Sequence, residues 1–496
     1  MKNFIIFWPD KEIKNELWNQ KNIFFFDTDG LVSYFEGDKR VVKNIFDEKP
    51  DYNFFSDGKN KIEDMVEDYR NTLPMWSRFS TKGDTYEVNI RRAILQIIKL
   101  STFLKNNKIY KAIFYTGIVH HQESLITSKA CKICSIDQIF LSVDILEYRL
   151  LPLIEKKNLS DNRFINSKLF KINYEQSLDD FIQITKSGHQ PKHYNKISIK
   201  DLSIIYAIIY FYFYHFPKRI IHKFFKFMKL TKSSKRYNLF DYLNNEYLFN
   251  DVDILLRHFH ANKFYKSKVV KFNNDNKKKD IKIIFFAHSQ PEASTFPLGL
   301  KLGNHIDSVI KIRELGYSKK IFYKEHYGSF VYSNKIRQSN WDRRYTRTGI
   351  YRTLEYYKNL LDLNCQFTEI DSKLFFKKEC ENMNLFPITV TGTIALQRAL
   401  CGFKTIIMGH IWWSKIPGVI HINDIRDLNT IDINFIKHSD EIEKQSKKFL
   451  LDILNNNTMS NFPGIGTGRQ THDEQIKKNF LNEIKSLLEY LDEKKI

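Results

Sequence analysis

The sequence predicts an α/β protein built from Rossmann-type domains. Apolar strands alternate with amphipathic helices along much of the chain, and two stretches have the pattern of a complete βαβ unit. One stretch runs from Pro387 to Ile422, and the other runs from Ala112 to Val143. A chain of 496 residues is too long for a single hydrophobic core, so we expect two or three domains.

The composition indicates a globular protein with an anionic partner. Hydrophobic residues make up 42% of the chain, and the formal net charge is +21. So basic a balance is typical of proteins that bind nucleic acid, an anionic membrane surface or phosphorylated substrates. No recognised nucleic-acid-binding module accompanies the basic residues, and we therefore expect no nucleic-acid partner.

The cysteines predict neither disulfides nor a metal site. Their odd number and wide spacing fit a reducing cytoplasm, and the CxxC pair has no second pair at zinc spacing. The five cysteines are Cys131, Cys134, Cys365, Cys380 and Cys401. The start of the chain lacks a signal-peptide pattern, and no apolar run reaches the ~18 residues that span a bilayer. We expect a cytoplasmic protein.

The N-terminal domain is predicted to span residues 1–195. It begins with strands Phe4 to Trp8 and Ile23 to Phe26, continues with helix Tyr86 to Asn106, and contains the first βαβ unit. Asp27 lies in a DxDG sequence after the second strand, which we interpret as a β-turn. The alternative is the nucleophile loop of a phosphatase similar to haloacid dehalogenases, for which we find no partner motifs.

The loop after strand Ala112 to Tyr115 holds our candidate catalytic residues. His120, His121 and Glu123 follow this strand, and ligands of α/β sheets bind beyond the carboxyl ends of strands. An imidazole or a carboxylate there can act as general base toward an acceptor hydroxyl. The alternative is an exposed loop whose polar residues cap the next helix.

Residues 196–275 form a predicted basic and aromatic insert. An apolar run from Leu202 to Phe216 is followed by a basic amphipathic stretch that ends at Arg236. This composition favours a helix that lies on an anionic membrane surface, so residues 202–236 are our candidate membrane contact. The alternative is a buried helix followed by a solvated helix between the domains. A charged linker, Lys266 to Lys282, marks the boundary with the next domain.

The second domain is predicted to span residues 276–440 and to hold an anion. In the unit from Pro387 to Ile422, a helix begins directly after the turn formed by Thr391, Gly392 and Thr393. The free N–H groups and the dipole of such a helix favour phosphate, and Gly392 permits close approach of the backbone. The alternative is a well-capped helix in a parallel sheet.

The predicted elements of this domain follow a regular alternation, and two terminal helices complete the chain in residues 441–496. In order, they are strand Ile283 to Phe286, helix Asn304 to Gly316, strand Lys320 to Lys324, helix Arg352 to Leu361, strand Gln366 to Glu369, strand Ile388 to Val390, helix Ile394 to Leu400, strand Thr405 to Met408, and helices Glu441 to Leu454 and Asp473 to Leu491.

Three motifs in this domain occur in a specific order. A strand is followed by QPEAST and PLG, a second strand ends in KEH at His326, and the TGT turn comes last. This order resembles the capsule polysaccharide biosynthesis family, which are bacterial glycosyltransferases of GT-B type. Several members transfer Kdo from CMP-Kdo. The resemblance covers Ile281 to Ile422 well and the rest of the chain loosely.

The resemblance implies a GT-B-like fold, in which two Rossmann-type domains face a cleft and a terminal helix crosses back to the first domain. It implies transfer of Kdo or a similar acidic sugar from a CMP-activated donor to a glycan or lipid-linked acceptor in capsule or surface polysaccharide synthesis. The acceptor would be met at the inner face of the cytoplasmic membrane. GT-B enzymes are usually metal-independent, so we expect no metal and no cofactor besides the nucleotide sugar.

A donor site of this kind needs groups that hold the phosphate and groups that hold the sugar. Thr391, Gly392 and Thr393 are our candidates for the phosphate, with Lys324 and His326 as cations that offset its charge. Candidates for ribose or sugar contacts are Gln290, Glu292, His288 and His410. Glu292 can instead hold Lys324 or an arginine, and most of the arginines near Arg352 are expected on the surface.

The chain departs from the family at two positions, and two other functions stay open. Tyr327 stands where the family has proline after the histidine, and Gln397 stands where relatives carry glutamate. The first alternative is a GT-B transferase that uses a UDP- or GDP-sugar. The second is a non-catalytic capsule-assembly protein that binds polysaccharide or lipid.

Overall fold

The structure is a computed structural model that contains two sheets with helices packed around them. It describes residues 2–7, 13, 17, 19–20, 22–26, 41–42, 86–115, 122–143, 146, 150–155, 163–164, 173–187, 257, 260–270, 281–288, 298–326, 329, 352–459 and 474–493. The predicted membrane contact at 202–236 lies outside these residues. Among the described helices, none is long and apolar enough to span a membrane.

The first sheet contains seven strands in the described part of the chain. They are β1 (Asn3–Phe7), β2 (Ile23–Phe26), β3 (Val41–Val42), β4 (Ile109–Phe114), β5 (Asp137–Val143), β6 (Leu150–Glu155) and β7 (Arg163–Phe164). Their spatial order is β3-β2-β1-β4-β5-β6-β7, and β1 to β5 are parallel. β6 and β7 are antiparallel additions at one edge. The order 3-2-1-4-5 is that of a Rossmann sheet.

The second sheet contains six strands among the described residues, and all its pairs are parallel. They are β8 (Lys282–Phe286), β9 (Ile321–Lys324), β10 (Cys365–Phe367), β11 (Leu385–Thr389), β12 (Thr405–Ile407) and β13 (Val419–His421). The spatial order is β10-β9-β8-β11-β12-β13. Counted within this sheet, the order is 3-2-1-4-5-6, which is the Rossmann order.

Helices connect and cover the two sheets. The numbered helices are α1 (Tyr86–Asn106), α2 (Gln122–Ile133), α3 (Glu175–Ser187), α4 (His305–Glu314), α5 (Leu354–Asp362), α6 (Thr393–Leu400), α7 (Asp440–Asn457) and α8 (Glu474–Glu493). Residues 260–268 are also helical. Asn304, Thr353 and Ser439 cap α4, α5 and α7 by accepting backbone N–H bonds. Such caps satisfy donors that the first turn of a helix leaves without a partner.

The terminal helix α8 packs on the first sheet, as the resemblance implies. Its apolar face, which includes Phe480 and Leu487, shares a buried cluster with Phe4 and Ile113 of the sheet. The buried Lys111 donates from Nζ to the carbonyl of Leu491 at 3.1 Å, near the C-terminal end of the helix. A cation at this end is favourable because the last carbonyl groups carry partial negative charge.

Helix α6 packs between elements from both halves of the chain. Its buried residues Ala395 and Leu396 share one core with Leu178 of α3 and Leu450 of α7. The side-chain amide of Gln397 donates to Thr185 of α3 at 3.3 Å. Gln397 therefore serves in the contact between the halves.

Most predicted elements are confirmed, with ends that differ by up to three residues. Five of the numbered elements differ from the prediction: β3, β6, β7 and α3 lie where the sequence predicts no element, and β13 lies where it predicts a loop. Residues 260–270, predicted to lie in the insert and linker, pack instead against the second half. Tyr265 belongs to the core around β9 and β10, and Val270 bridges to Thr368.

Truncation of Leu487 to alanine tests the docking of α8 on the first sheet. Leu487 is fully buried, and Leu→Ala in a core costs about 2–5 kcal/mol of unfolding free energy. We expect a loss in that range by chemical denaturation. The control is Glu489→Ala, at an exposed position of the same helix. Equal stability of the two variants would contradict the packing.

Candidate functional site

The candidate site lies where the strand order of the second sheet reverses. β8 pairs with β9 on one side and with β11 on the other. At the carboxyl end of this pairing, Phe286 of β8 lies opposite Thr389 of β11. Ligands of open α/β sheets bind outside the carboxyl ends of the strands at such a switch point.

The TGT turn joins β11 to α6 at this switch point. Gly392 is the N-cap residue of α6 and provides no side-chain cap. In the part of the chain that the structure describes, nothing accepts a hydrogen bond from the N–H groups of Gly392, Thr393 or Ile394. Thr391 is buried, and Thr393 is exposed. The start of α6 therefore presents free donors and a positive dipole end.

Gly392 is required by the close packing beneath the turn. A Cβ atom at this position would lie 2.7 Å from Oγ1 of Thr389 and 3.4 Å from Nε2 of His288. The first distance is too short for a carbon–oxygen contact. Any side chain here would push the turn away from the strand.

His288 lies directly below the TGT turn. It is 7% exposed, and its Nε2 accepts a hydrogen bond from the N–H of Thr391 at 3.2 Å. This contact assigns the proton of the neutral ring to Nδ1. Burial, together with the nearby His326 and Arg352, lowers the pKa of His288 to about 3. His288 thus supports the turn as a neutral ring, whereas we predicted a contact with ribose or sugar.

A buried ion pair joins Glu325 to Arg352 beside His288. Nε of Arg352 donates to Oε2 of Glu325 at 2.7 Å, and Nη2 donates to Oε1 at 3.1 Å. The side chain of Arg352 is 0% exposed, and that of Glu325 is 2% exposed. Nη2 also donates to the main-chain oxygen of His288 at 2.7 Å. One guanidinium therefore contacts the segments that follow both β8 and β9.

Hydroxyl groups and a backbone amide complete the surroundings of Glu325. Its carboxylate accepts from the hydroxyls of Tyr357 at 2.9 Å and Ser329 at 3.0 Å, and from the N–H of His326 at 2.8 Å. The hydroxyl of Tyr323 lies 3.4 Å from Oε2. Buried charges are tolerated when such bonds satisfy them.

His305, at the start of α4, connects the ion pair to His288 by a second route. Its Nε2 accepts from the N–H of His288 at 3.3 Å, and its Nδ1 lies 3.1 Å from the hydroxyl of Tyr356. Nη2 of Arg352 lies 3.2 Å from the same nitrogen. Burial, and next the charge of Arg352, lowers the pKa of His305 well below its ordinary value.

Lys324 and His326 flank Glu325 at the end of β9, and both are partly exposed. Burial lowers the pKa of His326 to about 4; Glu325 opposes this shift, and Arg352 and Lys324 add to it. His326 is therefore neutral at pH 7, and the cationic role that we predicted for it is not supported. Burial also lowers the pKa of Lys324, against the carboxylates of Asp371 and Glu369.

The loop after β12 brings His410 beside the same edge of the sheet. The N–H of His410 donates to the carbonyl of Leu298 at 2.7 Å. Its ring stacks on the ring of His421 with centroids 4.6 Å apart. A Cβ at Gly409 would lie 2.6 Å from Cγ2 of Thr391, so this loop touches the TGT turn.

Several predicted site residues cannot be placed relative to this group. Gln290, Glu292, His120 and His121 lie outside the described residues. Glu123 is the second residue of α2, and its side chain is also outside them. Their catalytic and sugar-binding roles stay predictions. The structure places Lys324 and His326, at the end of β9, on the same edge of the sheet as His288, His410 and the TGT turn.

Sequence reasoning missed the residues that organise the site. Glu325 was not among our candidate residues, and we expected most of the arginines around Arg352 on the surface, yet Glu325 and Arg352 are both buried. One available signal was the position of Glu325 directly after an apolar strand. A second was the sequence after Arg352, where Tyr356 and Tyr357 lie about one helical turn further on.

A group of potential metal ligands occurs elsewhere among the described residues. His438, Asp440 and Glu443 lie close together at the first turn of α7. Glu443 already pairs with Lys186 at 3.0 Å and with Lys447 at 3.6 Å. A helix N-terminus disfavours a cation. This group lies in α7, outside the loops of the switch point, and the expectation of metal independence stays a prediction.

Comparisons with known proteins leave the family of the chain open. No family model and no curated protein matches it. Among solved structures, the chain is similar to UDP-N-acetylglucosamine 2-epimerase from Rickettsia bellii, with 13% identity over 92% of this chain and 96% of that chain, and a TM-score of 0.18. The chain is thus described by its own architecture, a mixed α/β protein with two sheets of Rossmann order.

The depressed pKa of His326 predicts a pH-dependent stability. The unfolded chain binds a proton at His326 near pH 6.5, whereas the folded chain binds it at about 4. The contribution of His326 to the free energy of unfolding is therefore fully present above pH 6.5 and is lost as the pH is lowered toward 4. We expect the fall between pH 7 and pH 5 to be about 1–2 kcal/mol smaller in His326→Gln.

The measurement is chemical denaturation at pH 7, 6 and 5. His260→Gln, at an exposed position outside the site, is the matched control and should keep the fall of the wild type. An unchanged fall in His326→Gln would show that the surroundings of His326 do not lower its pKa.

Proposed function

We propose that the chain is a glycosyltransferase that binds the phosphate of a nucleotide-activated sugar at the start of α6. The observation that carries this proposal is the TGT turn, which opens a helix at the switch point of a sheet with the order 3-2-1-4-5-6. Free N–H groups and a dipole at this place suit a phosphate group. The resemblance of the three ordered motifs to the capsule family supports sugar transfer.

The chemistry requires that negative charge on a departing nucleotide is stabilised. The donors at Gly392 and Thr393 hold the phosphate, and the exposed hydroxyl of Thr393 adds a further donor. Lys324 supplies positive charge at the carboxyl end of β9. His326 donates a hydrogen bond as a neutral ring. Fixed groups of this kind need no reorganisation during the reaction.

The donor sugar and the acceptor are assigned by the resemblance. The donor is CMP-Kdo or a similar CMP-linked acidic sugar, with Gln290 and Glu292 as contacts to ribose or sugar and His410 as a further contact. Glu123, His120 and His121 are candidates for the base that activates the acceptor hydroxyl. The acceptor is a surface polysaccharide or its lipid-linked primer, reached at the cytoplasmic face through membrane contact of residues 202–236.

Calorimetric titration with CMP, UDP and GDP tests the proposed function. We expect selective binding of CMP that EDTA does not change. Lys324→Met removes the cation from the phosphate site and should weaken binding by about tenfold, which corresponds to about 1.4 kcal/mol. Lys320→Met is the matched control, since this lysine is exposed just before β9, at the opposite end of the strand.

Each other outcome points to a different function. A preference for UDP or GDP would retain the transferase and replace the donor. Binding that EDTA abolishes would overturn metal independence. If no nucleotide binds, the transferase proposal fails, and a capsule-assembly protein that binds polysaccharide or lipid becomes the better account.

A further inference from the structure

Arg352 connects three segments at the edge of the sheet where the candidate site lies. It precedes α5 by two residues, and its guanidinium donates to Glu325 after β9 and to the carbonyl of His288 after β8. Its side chain is 0% exposed. A group so enclosed cannot touch a ligand, so any effect on binding passes through its neighbours.

The path from Arg352 to the phosphate donors is short. Arg352 holds the main-chain oxygen of His288 at 2.7 Å, and the ring of His288 accepts from the N–H of Thr391 at 3.2 Å. Thr391 precedes Gly392, whose N–H and that of Thr393 are the donors at the start of α6. Two hydrogen bonds thus link the guanidinium to the TGT turn.

We propose that Arg352 is a positioning residue for this site, holding His288 and thereby the TGT turn in the conformation that binds phosphate. A lysine in its place keeps the charge but lacks the planar fork that reaches Glu325 and the His288 carbonyl together. The position of the turn then depends on weaker contacts. The effect of Arg352 on phosphate binding rests on the proposed function. Its contacts with the carbonyl of His288 and with Glu325, next to His326, do not.

The chain offers a matched control in Arg398. This arginine is also 0% exposed and lies in the last turn of α6, the end that faces away from the TGT turn. Its guanidinium donates to the carbonyls of Phe375 and Lys404 and to the hydroxyl of Thr405. Substitution there disturbs the same domain without disturbing His288.

The first experiment compares Arg352→Lys with Arg398→Lys by calorimetric titration with CMP, with circular dichroism as the check of folding. We expect CMP affinity to fall by about tenfold or more in Arg352→Lys and by less than about twofold in Arg398→Lys. If Arg352→Lys does not fold, the double variant E325Q/R352M removes both buried charges and should show the same loss. Unchanged affinity in a folded Arg352 variant would overturn the proposal.

The second experiment needs no nucleotide and separates the two proposals. The charged groups that act on His326 are Glu325, Arg352 and Lys324. Those that act on His288 are His326 and Arg352, and the ring centroids of His288 and His305 lie 6.2 Å apart. Removal of the Arg352 charge leaves Glu325 to favour the protonated ring of His326. We expect ¹³C-histidine NMR to show the titration of His326 about one pH unit or more higher in Arg352→Met. We also expect the backbone N–H resonance of Thr391, which donates to His288, to shift in Arg352→Met. Both signals should stay unmoved in Arg398→Met.

The two readouts have distinct meanings. If the wild-type protein binds no nucleotide while the His326 titration and the Thr391 resonance both move in Arg352→Met alone, the transferase proposal fails and the positioning role of Arg352 stands. If the titration stays where it is, or moves equally in both variants, Arg352 has no specific hold on the site and the positioning proposal is overturned.

Discussion

The buried ion pair between Glu325 and Arg352 is the constraint on which the rest of the candidate site depends. Transfer of two charges from water into a protein costs several kcal/mol for each ion, and their attraction offsets this only when the remaining hydrogen bonds are made. Tyr357, Ser329 and the N–H of His326 make those bonds for Glu325, and the carbonyl of His288 accepts one for Arg352. The segments after β8 and β9 and the start of α5 must therefore be in place together.

The ion pair fixes the segments at the edge of the sheet and leaves the neighbouring histidines uncharged. The histidines next to the pair are kept neutral by burial and by the charge of Arg352. Neutral rings serve as supports for backbone groups, whereas positive charge at this edge of the sheet comes from Lys324 and from the dipole at the start of α6. The residues that stabilise this edge of the sheet, Glu325, Arg352 and His288, are thus distinct from the N–H donors at the start of α6.

The second half of the chain is not isolated from the first. α6, which begins at the TGT turn, is packed on its apolar side by α3 and α7, and α8 returns to the first sheet. A change in the packing of α3 or α7 therefore acts directly on the helix that begins at the TGT turn. The contact of Gln397 with Thr185 belongs to this packing.

Local patterns predicted the alternating strands and helices well, because buried parallel strands and amphipathic helices have clear hydrophobic periods. β6 and β7 were missed because β6 depends on its antiparallel pairing with β5, and β7 on its pairing with β6, rather than on their own sequence. The TGT turn was predictable because a glycine between two threonines at a helix start has a local meaning. The pair of Glu325 with Arg352 was not predictable from the sequence, since no local pattern indicates that two residues on different segments form an ion pair. Arg352 also lies in an arginine-rich stretch, where most side chains are expected to be solvated.

The measurement that tests the account most directly is a crystal structure of the protein with CMP. The account predicts that a phosphate oxygen lies within hydrogen-bond distance of the N–H of Gly392 or Thr393, above a buried His288 that makes no contact with the nucleotide. A nucleotide bound at the first sheet, or one whose phosphate lies away from the start of α6, would contradict the central claim.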